Sequence, residues 1–180
     1  MALRPRSNRL LDADGLLQYA LRTLAGRALS AGELRAKLEL RAERPELVRS
    51  TLERLKEYGY LDDRRFAEAF STARLETEGF GRQRVLRDLR RRRVAPGLAR
   101  ETVDRVFAGA DESALVEEYL RRKYRGVVLE EYLAEPRHLA SAYRRLRGAG
   151  FSAGSAISVL KRHAKQAEAL DGLEEAEPEG

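Results

Sequence analysis

The chain has 180 residues, of which 43% are hydrophobic and 36% charged, and it carries a formal net charge of +6. It contains no cysteine, which excludes a disulfide framework and a thiolate zinc site. No apolar run has the length of a signal-peptide core or of a bilayer span, so a cytoplasmic protein without a membrane partner is expected. The net charge understates how basic the body is. Residues 166–180 hold six acids and no base, so leaving them out raises the charge of residues 1–165 by six, to +12. A body that basic favours polyanionic partners, either nucleic acid or an acidic protein groove.

In chain order, residues 1–13 read as a basic arm, with Arg4, Arg6 and Arg9 beside Pro5 and no periodicity. Asp12 or Asp14 can cap a first helix in which Leu17, Leu21 and Leu24 recur at helical spacing, ending near Gly26. Ser30 with Glu33 is a capping box opening a second helix through Leu34 and Leu38. Pro45 suits the first turn of a third, with Val48, Leu52 and Leu55 as its buried stripe up to Gly59.

The pattern then recurs. PELVRSTLERL from Pro45 lies over PGLARETVDRV from Pro96 at an offset of 51 positions, matching Leu47 to Leu98, Arg49 to Arg100, Thr51 to Thr102 and Arg54 to Arg105. In the preceding helix Leu34 meets Val85 and Leu38 meets Leu89. A third copy, with an insertion after its first helix (Asp111 to Tyr124), follows at an offset of 57, matching Leu89 to Leu146, Ala99 to Ala156 and Val103 to Leu160. Pro136 opens its second helix, and Gly150 with Ser152 marks the turn into its third. The expected architecture is all-α: three tandem three-helix repeats at 14–61, 62–110 and 111–165, stacked into an elongated, curved rod, then an acidic disordered tail at 166–180.

Gly81–Arg93, GRQRVLRDLRRRR, holds seven arginines and one acid, Asp88. At about 100° per residue, Val85, Leu86 and Leu89 share one side of a helix while Arg84, Arg87 and Arg91 fall together on the other. Arg82 and Arg93 lie toward the apolar side at the two ends, where long stems can cover a core while the heads reach water. The first repeat has Glu33, Ala36 and Leu40 at the places of Arg84, Arg87 and Arg91, so the scaffold does not require bases there. The expected surface for DNA or an acidic protein groove is therefore Arg82, Arg84, Arg87, Arg90, Arg91 and Arg92, with Arg121, Arg122, Lys123, Arg125, Arg144, Arg145 and Arg147 from the third repeat.

No constellation for catalysis, metal or cofactor stands out. Asp62 and Asp63 read as helix caps rather than an acid pair. His138 and His163 lack ligand spacing. Gly79 and Gly81 flank Phe80 without the strand, lysine or Ser/Thr of a phosphate loop. Tyr58, Tyr60, Phe66 and Phe70 read as core.

YGYLDDRRFAEAF, Tyr58–Phe70, and GFGRQRVLRDL, Gly79–Leu89, at their spacing resemble the RecX family of bacterial recombination regulators. The resemblance runs over Asp14 to Lys165 and is specific in the first two copies. It implies helical repeats lying in the groove of a RecA filament on DNA, restraint of RecA and no catalysis; the arginine face itself, offering phosphate contacts without a base-reading set, leads to an expectation of sequence-independent binding to single- and double-stranded DNA. A monomer is expected. The chain departs from the family at Arg93, where the family usually has glycine. The alternative is a helix-turn-helix transcription factor. Against it, the most basic helix is the second of its unit, whereas a recognition helix is usually the last, and Gln83 is its only adenine-reading side chain.

Overall fold

The computed structural model describes residues 10–164; the rest of the basic arm and the acidic tail lie outside the described residues. Among these residues there are ten α-helices and no strand beyond one isolated bridge, Leu11 with Ala42. Contacts gather the chain into two compact units, one comprising the described residues up to Phe70 with Leu89–Thr102, the other Ser71–Asp88 with the described residues from Val103 onward.

In the first unit, α1 (Ala13–Gly26) starts at Asp12, whose carboxylate accepts from the Gly15 amide at 2.9 Å. Leu11 does not belong to a free arm: its amide donates to Arg41 O at 2.7 Å and its carbonyl accepts from Glu43 N at 3.0 Å. The buried stripe of α1 is Leu16 and Ala20, each fully covered, while Leu17, Leu21 and Leu24 pack at the edge of the cluster. Leu16 shares the face of Leu24 and Ala20 under a 3.6-residue period, and a choice among adjacent leucines is not fixed by spacing alone. In α2 (Ala31–Glu39) both halves of the Ser30–Glu33 capping box form, and in α3 (Pro45–Glu57) Pro45 occupies the first turn. Leu34, Leu38, Val48, Leu52 and Leu55 complete the core as the periodicity predicts. Tyr58 and Tyr60 do not join it; they are 62% and 61% exposed, because they follow the end of α3 where the chain turns through Gly59 at φ 72°.

The adjacent carboxylates at the head of α4 (Asp63–Glu76) have separate duties. Asp62 accepts from Arg65 N at 3.0 Å within its own first turn, whereas Asp63 accepts from Ala31 N at 2.7 Å and so caps α2. The C-terminal end of α5 (Arg82–Arg91) closes with Val94 N donating to Leu89 O at 3.1 Å. Arg93 supplies the left-handed turn at φ 56°, the conformation glycine ordinarily provides, so the missing glycine has not removed the cap. Gly32 lies against it: a Cβ at Gly32 would overlap the Arg93 carbonyl. The first residues of α6 (Pro96–Val106) add Ala99 and Thr102, both fully buried.

In the second unit, Asp111 caps α7 (Glu112–Lys123). The insertion after it contains a short helix that periodicity did not mark, α8 (Leu129–Leu133), which buries Leu133. Pro136 opens α9 (Pro136–Ala149), which ends at Gly150 with φ 95°. Ser152 caps α10 (Ala153–His163). The Glu112 carboxylate accepts from Ser152 N at 2.9 Å, Ser152 Oγ at 2.6 Å and Ser155 Oγ at 2.7 Å. Burial pushes the Glu112 carboxyl up, but these bonds outweigh it and hold it below the usual glutamate range. Phe151, Leu120, Leu146, Leu160 and Val159 are fully covered in the core between these helices.

Gly81 at the start of α5 does in this unit what Gly32 does in the other. Its amide donates to Ala149 O at 2.9 Å, Gln83 N donates to Gly150 O at 3.1 Å, and a Cβ on Gly81 would overlap Gly150. Gly81 is thus required by a close backbone approach rather than by a phosphate. Arg93 and Gly150 stand at the 57-residue offset, and Gly81, at the 51-residue offset from Ser30, bonds the Ala149 carbonyl as Ser30 bonds that of Arg92, so the joint recurs although Gly32 itself is not the equivalent of Gly81. Repeat-equivalent positions are also buried alike: Leu38, Leu89 and Leu146 at 0%, and Leu52, Val103 and Leu160 at 4%, 1% and 0%.

Candidate nucleic-acid interface

The arginines of 81–93 do not form a uniform solvated face. In the second unit, Arg84 is half-buried, with Nε 3.2 Å from the Asp88 carboxylate, its guanidinium 5.0 Å over the Phe80 ring and Nη1 3.4 Å from Gly148 O. Asp88 is only 7% exposed, and Arg74 approaches the same oxygen at 3.8 Å while stacking 5.7 Å over Phe80. A buried carboxylate needs such partners, since its desolvation is otherwise uncompensated. Arg87 donates to Gly148 O at 3.2 Å, so two cations meet the negative end of α9, where the helix dipole favours them. Arg82 pairs with Asp104 and lies 5.9 Å over Phe107, its stem covering apolar surface as its register predicts.

In the first unit, Arg92 is held on every side. Its Nε is 2.7 Å from Glu33, Nη2 donates to Ala28 O at 3.0 Å, and the guanidinium stacks 4.9 Å and 5.5 Å over Phe66 and Phe70. Its carbonyl accepts from the buried Ser30 hydroxyl. Arg90 and Arg91 are exposed.

The bases after α7 and on α9 divide in the same way. Glu118 accepts from Arg121 Nε at 2.8 Å and Arg122 Nε at 2.6 Å, and Arg121 and Arg122 together hold its carboxyl below the usual range. Arg122 also donates to Thr77 O at 3.2 Å. Arg147 is half-buried and donates to Phe151 O at 2.7 Å. Lys123, Arg125, Arg144 and Arg145 are exposed; burial raises the Tyr124 phenol, with Arg145 opposing it. Of the bases grouped in the sequence, Arg82, Arg84, Arg87, Arg92, Arg121, Arg122 and Arg147 bond the protein's own groups, while Arg90, Lys123, Arg125 and Arg144 show no ion pair among the described residues. The Arg84–Asp88 pair was legible as an i,i+4 spacing. The carbonyls of Ala28, Gly148 and Phe151 were not, since main-chain acceptors carry no sequence signal.

Among the described residues no group of three or more His, Asp or Glu side chains is arranged to hold a metal, and no helix is long and apolar enough to cross a membrane. No acidic pattern accompanies His163 along the chain, but the fold supplies one: its Nε2 is 2.7 Å from Glu117 and its Nδ1 3.1 Å from Glu130. Burial lowers the imidazole pKa, and the two carboxylates more than reverse this, leaving it raised.

Residues 62–103 match the family described as RecX, second three-helix domain. A regulatory protein RecX of Deinococcus radiodurans is 43% identical over 102 residues, covering 56% of this chain and 48% of that protein. One from Thermus thermophilus is 38% identical over 148 residues, covering 81% of this chain and 89% of that protein. The fold is similar to the crystal structure of RecX from Lactobacillus salivarius, with TM-score 0.62 at 14% identity over 84% of this chain and 96% of that one. Helical repeats in this order, with a relative more than one-third identical along nearly its whole length, place the chain in the RecX family of regulatory proteins.

Proposed function

We propose that this protein restrains RecA recombinase by lying against the RecA filament on DNA, touching single- and double-stranded DNA without sequence preference and catalysing nothing itself. It would act in the cytoplasm as a regulator of recombination and DNA repair within the SOS response. The observation that carries this reading is membership in the RecX family, whose resemblance implied RecA as the partner. The charge distribution supports it: after the fold has engaged Arg82, Arg84, Arg92 and Arg147, exposed bases remain at Arg90, Lys123, Arg125 and Arg144, and phosphate contacts of this kind carry affinity without reading bases.

The test is RecA ATPase on single-stranded DNA with this protein titrated in. Inhibition is expected, and the triple variant Arg90→Ala, Arg125→Ala, Arg144→Ala should weaken it at least about tenfold, roughly 1.4 kcal/mol, with an unchanged melting curve. DNA affinity should fall by orders of magnitude between about 50 and 200 mM salt. An unaffected ATPase would refute the reading, and a clear base preference in a random DNA pool would favour a helix-turn-helix regulator instead.

A further inference from the structure

Three helices of the second unit meet at one imidazole. His163, in the last turn of α10, is half-buried, and each of its ring nitrogens faces a carboxylate from a different helix: Nε2 lies 2.7 Å from Glu117 of α7 and Nδ1 3.1 Å from Glu130 in the first turn of α8. A carboxylate only accepts, and a neutral imidazole has a single N–H, so both contacts are hydrogen bonds only when the ring carries two protons. Neutral His163 turns a lone pair toward one of the anions, and that contact is lost. The fold decides which. α7 is anchored in the core by Val116 and Leu120, both fully covered, and the Glu117 side chain is 36% exposed. Glu130 is 63% exposed and stands two positions beyond Val128, in a stretch where Val127 and Val128 are themselves 45% and 57% exposed. The far half of α8 is held without the histidine, by buried Leu133 and by Tyr132 stacked 4.1 Å from the His138 ring. The neutral ring therefore keeps its proton on Nε2 for Glu117, and Glu130 turns to water. The other charges around this groove do not take over the tie: Arg162 shares Glu117 at 3.7 Å, Glu118 is taken by Arg121 and Arg122, Asp111 caps α7, and Arg125 lies on the exposed loop itself.

We propose that His163 is a pH-operated latch on the insertion between α7 and α9: protonated, it ties the start of α8 to α7 and α10; neutral, it releases residues 126–131 while α7 and α10 stay joined. The two carboxylates outweigh burial and raise the imidazole pKa, so the latch is closed at and below the ordinary histidine value of about 6.5 and opens as pH rises through the higher folded value. Because the loop 124–128 carries Arg125, exposed and without an ion pair among the described residues, opening also loosens one of the bases left for a polyanion. Neither the latch nor its test depends on the RecA reading.

The chain has two histidines, so His163→Gln assigns the ring signals in an NMR titration of the full chain from about pH 5 to 9. The amides of 126–131 should shift with the midpoint of the His163 ring. Across that midpoint the exchange protection of the Tyr132 amide, bonded to Val128 O at 3.0 Å, should fall at least about threefold after correction for the intrinsic rate, while the amides of α9 keep theirs. Glu130→Gln separates a latch from a bystander. Its side-chain amide can accept from the protonated ring and donate to the neutral one, so the protection of Tyr132 should no longer change with pH, although the His163 ring still titrates, with a lower midpoint. Protection that ignores the titration of His163 overturns the proposal. So does protection that still falls with it in Glu130→Gln, or a His163 midpoint that Glu130→Gln leaves unmoved.

Discussion

Replacing Arg92 by alanine separates an arginine that builds the fold from one that waits for a partner. The change removes an ion pair to Glu33, whose side chain is 15% exposed, a donation to Ala28 O and stacking on two phenylalanine rings. Partly exposed cation–π contacts are worth about 0.5–1 kcal/mol each, a hydrogen bond from a charged group about 1.5 kcal/mol and a half-buried ion pair about 1 kcal/mol. Against these stands about 2 kcal/mol of arginine rotamer entropy regained on truncation, so the net loss should be about 2 kcal/mol. For a chain of this size that is a fall of about 4–8 °C in melting temperature. Calorimetry or circular dichroism reads it directly, and a double-mutant cycle with Glu33→Gln should return a coupling of about 1 kcal/mol. Arg90→Ala, two positions earlier and exposed, should stay within about 0.5 kcal/mol of the parent. If Arg92→Ala melts like the parent, or Arg90→Ala loses as much, this division of the arginines is wrong.

Three further outcomes follow from the same geometry. Arg93→Gly should raise stability by about 1 kcal/mol in thermal melts, because φ 56° is costly for a residue with a Cβ, while Arg93→Val should lower it. Gly81→Ala should be disruptive, since its Cβ would overlap Gly150, whereas Gly148→Ala, with open space around its Cβ, should gain up to about 1 kcal/mol of helix propensity; equal effects at the two sites would contradict the close approach. His163, between Glu117 and Glu130 with Arg162 also on Glu117, has a raised pKa. Its contribution is therefore full below the ordinary histidine value of about 6.5 and lost as pH rises through the folded value, so His163→Gln should flatten the decline of melting temperature above that pH.

The helical class, the three copies of the pattern and most of the core were legible because they rest on local signals: Ser30 with Glu33, Pro45, Pro136, Gly150, and the leucines at helical spacing. Leu16 was passed over for Leu17 because a run of adjacent apolar residues has no unique phase. The arginine surface was legible only in part. Helical geometry grouped Arg84, Arg87 and Arg91, but the partners of Arg84 and Arg87 include a carbonyl more than sixty positions away, and no local pattern encodes that. An alanine triple at Arg84, Arg87 and Arg91 would accordingly strip a buried Asp88 of one counter-charge along with any partner contact. Arg90, Arg125 and Arg144 give the cleaner comparison. Tyr58 and Tyr60 were misread as core for a related reason: aromatic spacing marks a face, and only the chain's exit from α3 decides whether anything covers it.

The caps that come from distant segments set how the protein can assemble. The first amide of α2 is satisfied by Asp63, 32 residues later, and the head of α10 by Glu112, 40 residues earlier. Each closure must meet the entropy of a loop of that length before it returns any hydrogen bond, so these two contacts, unlike the local Ser30 and Ser152 caps, form only with the tertiary structure. A fragment ending at Leu61 would keep the leucines of the first repeat and still present an unmet Ala31 amide. Its second helix should fray at that end, which weaker amide protection at Ala31 would show.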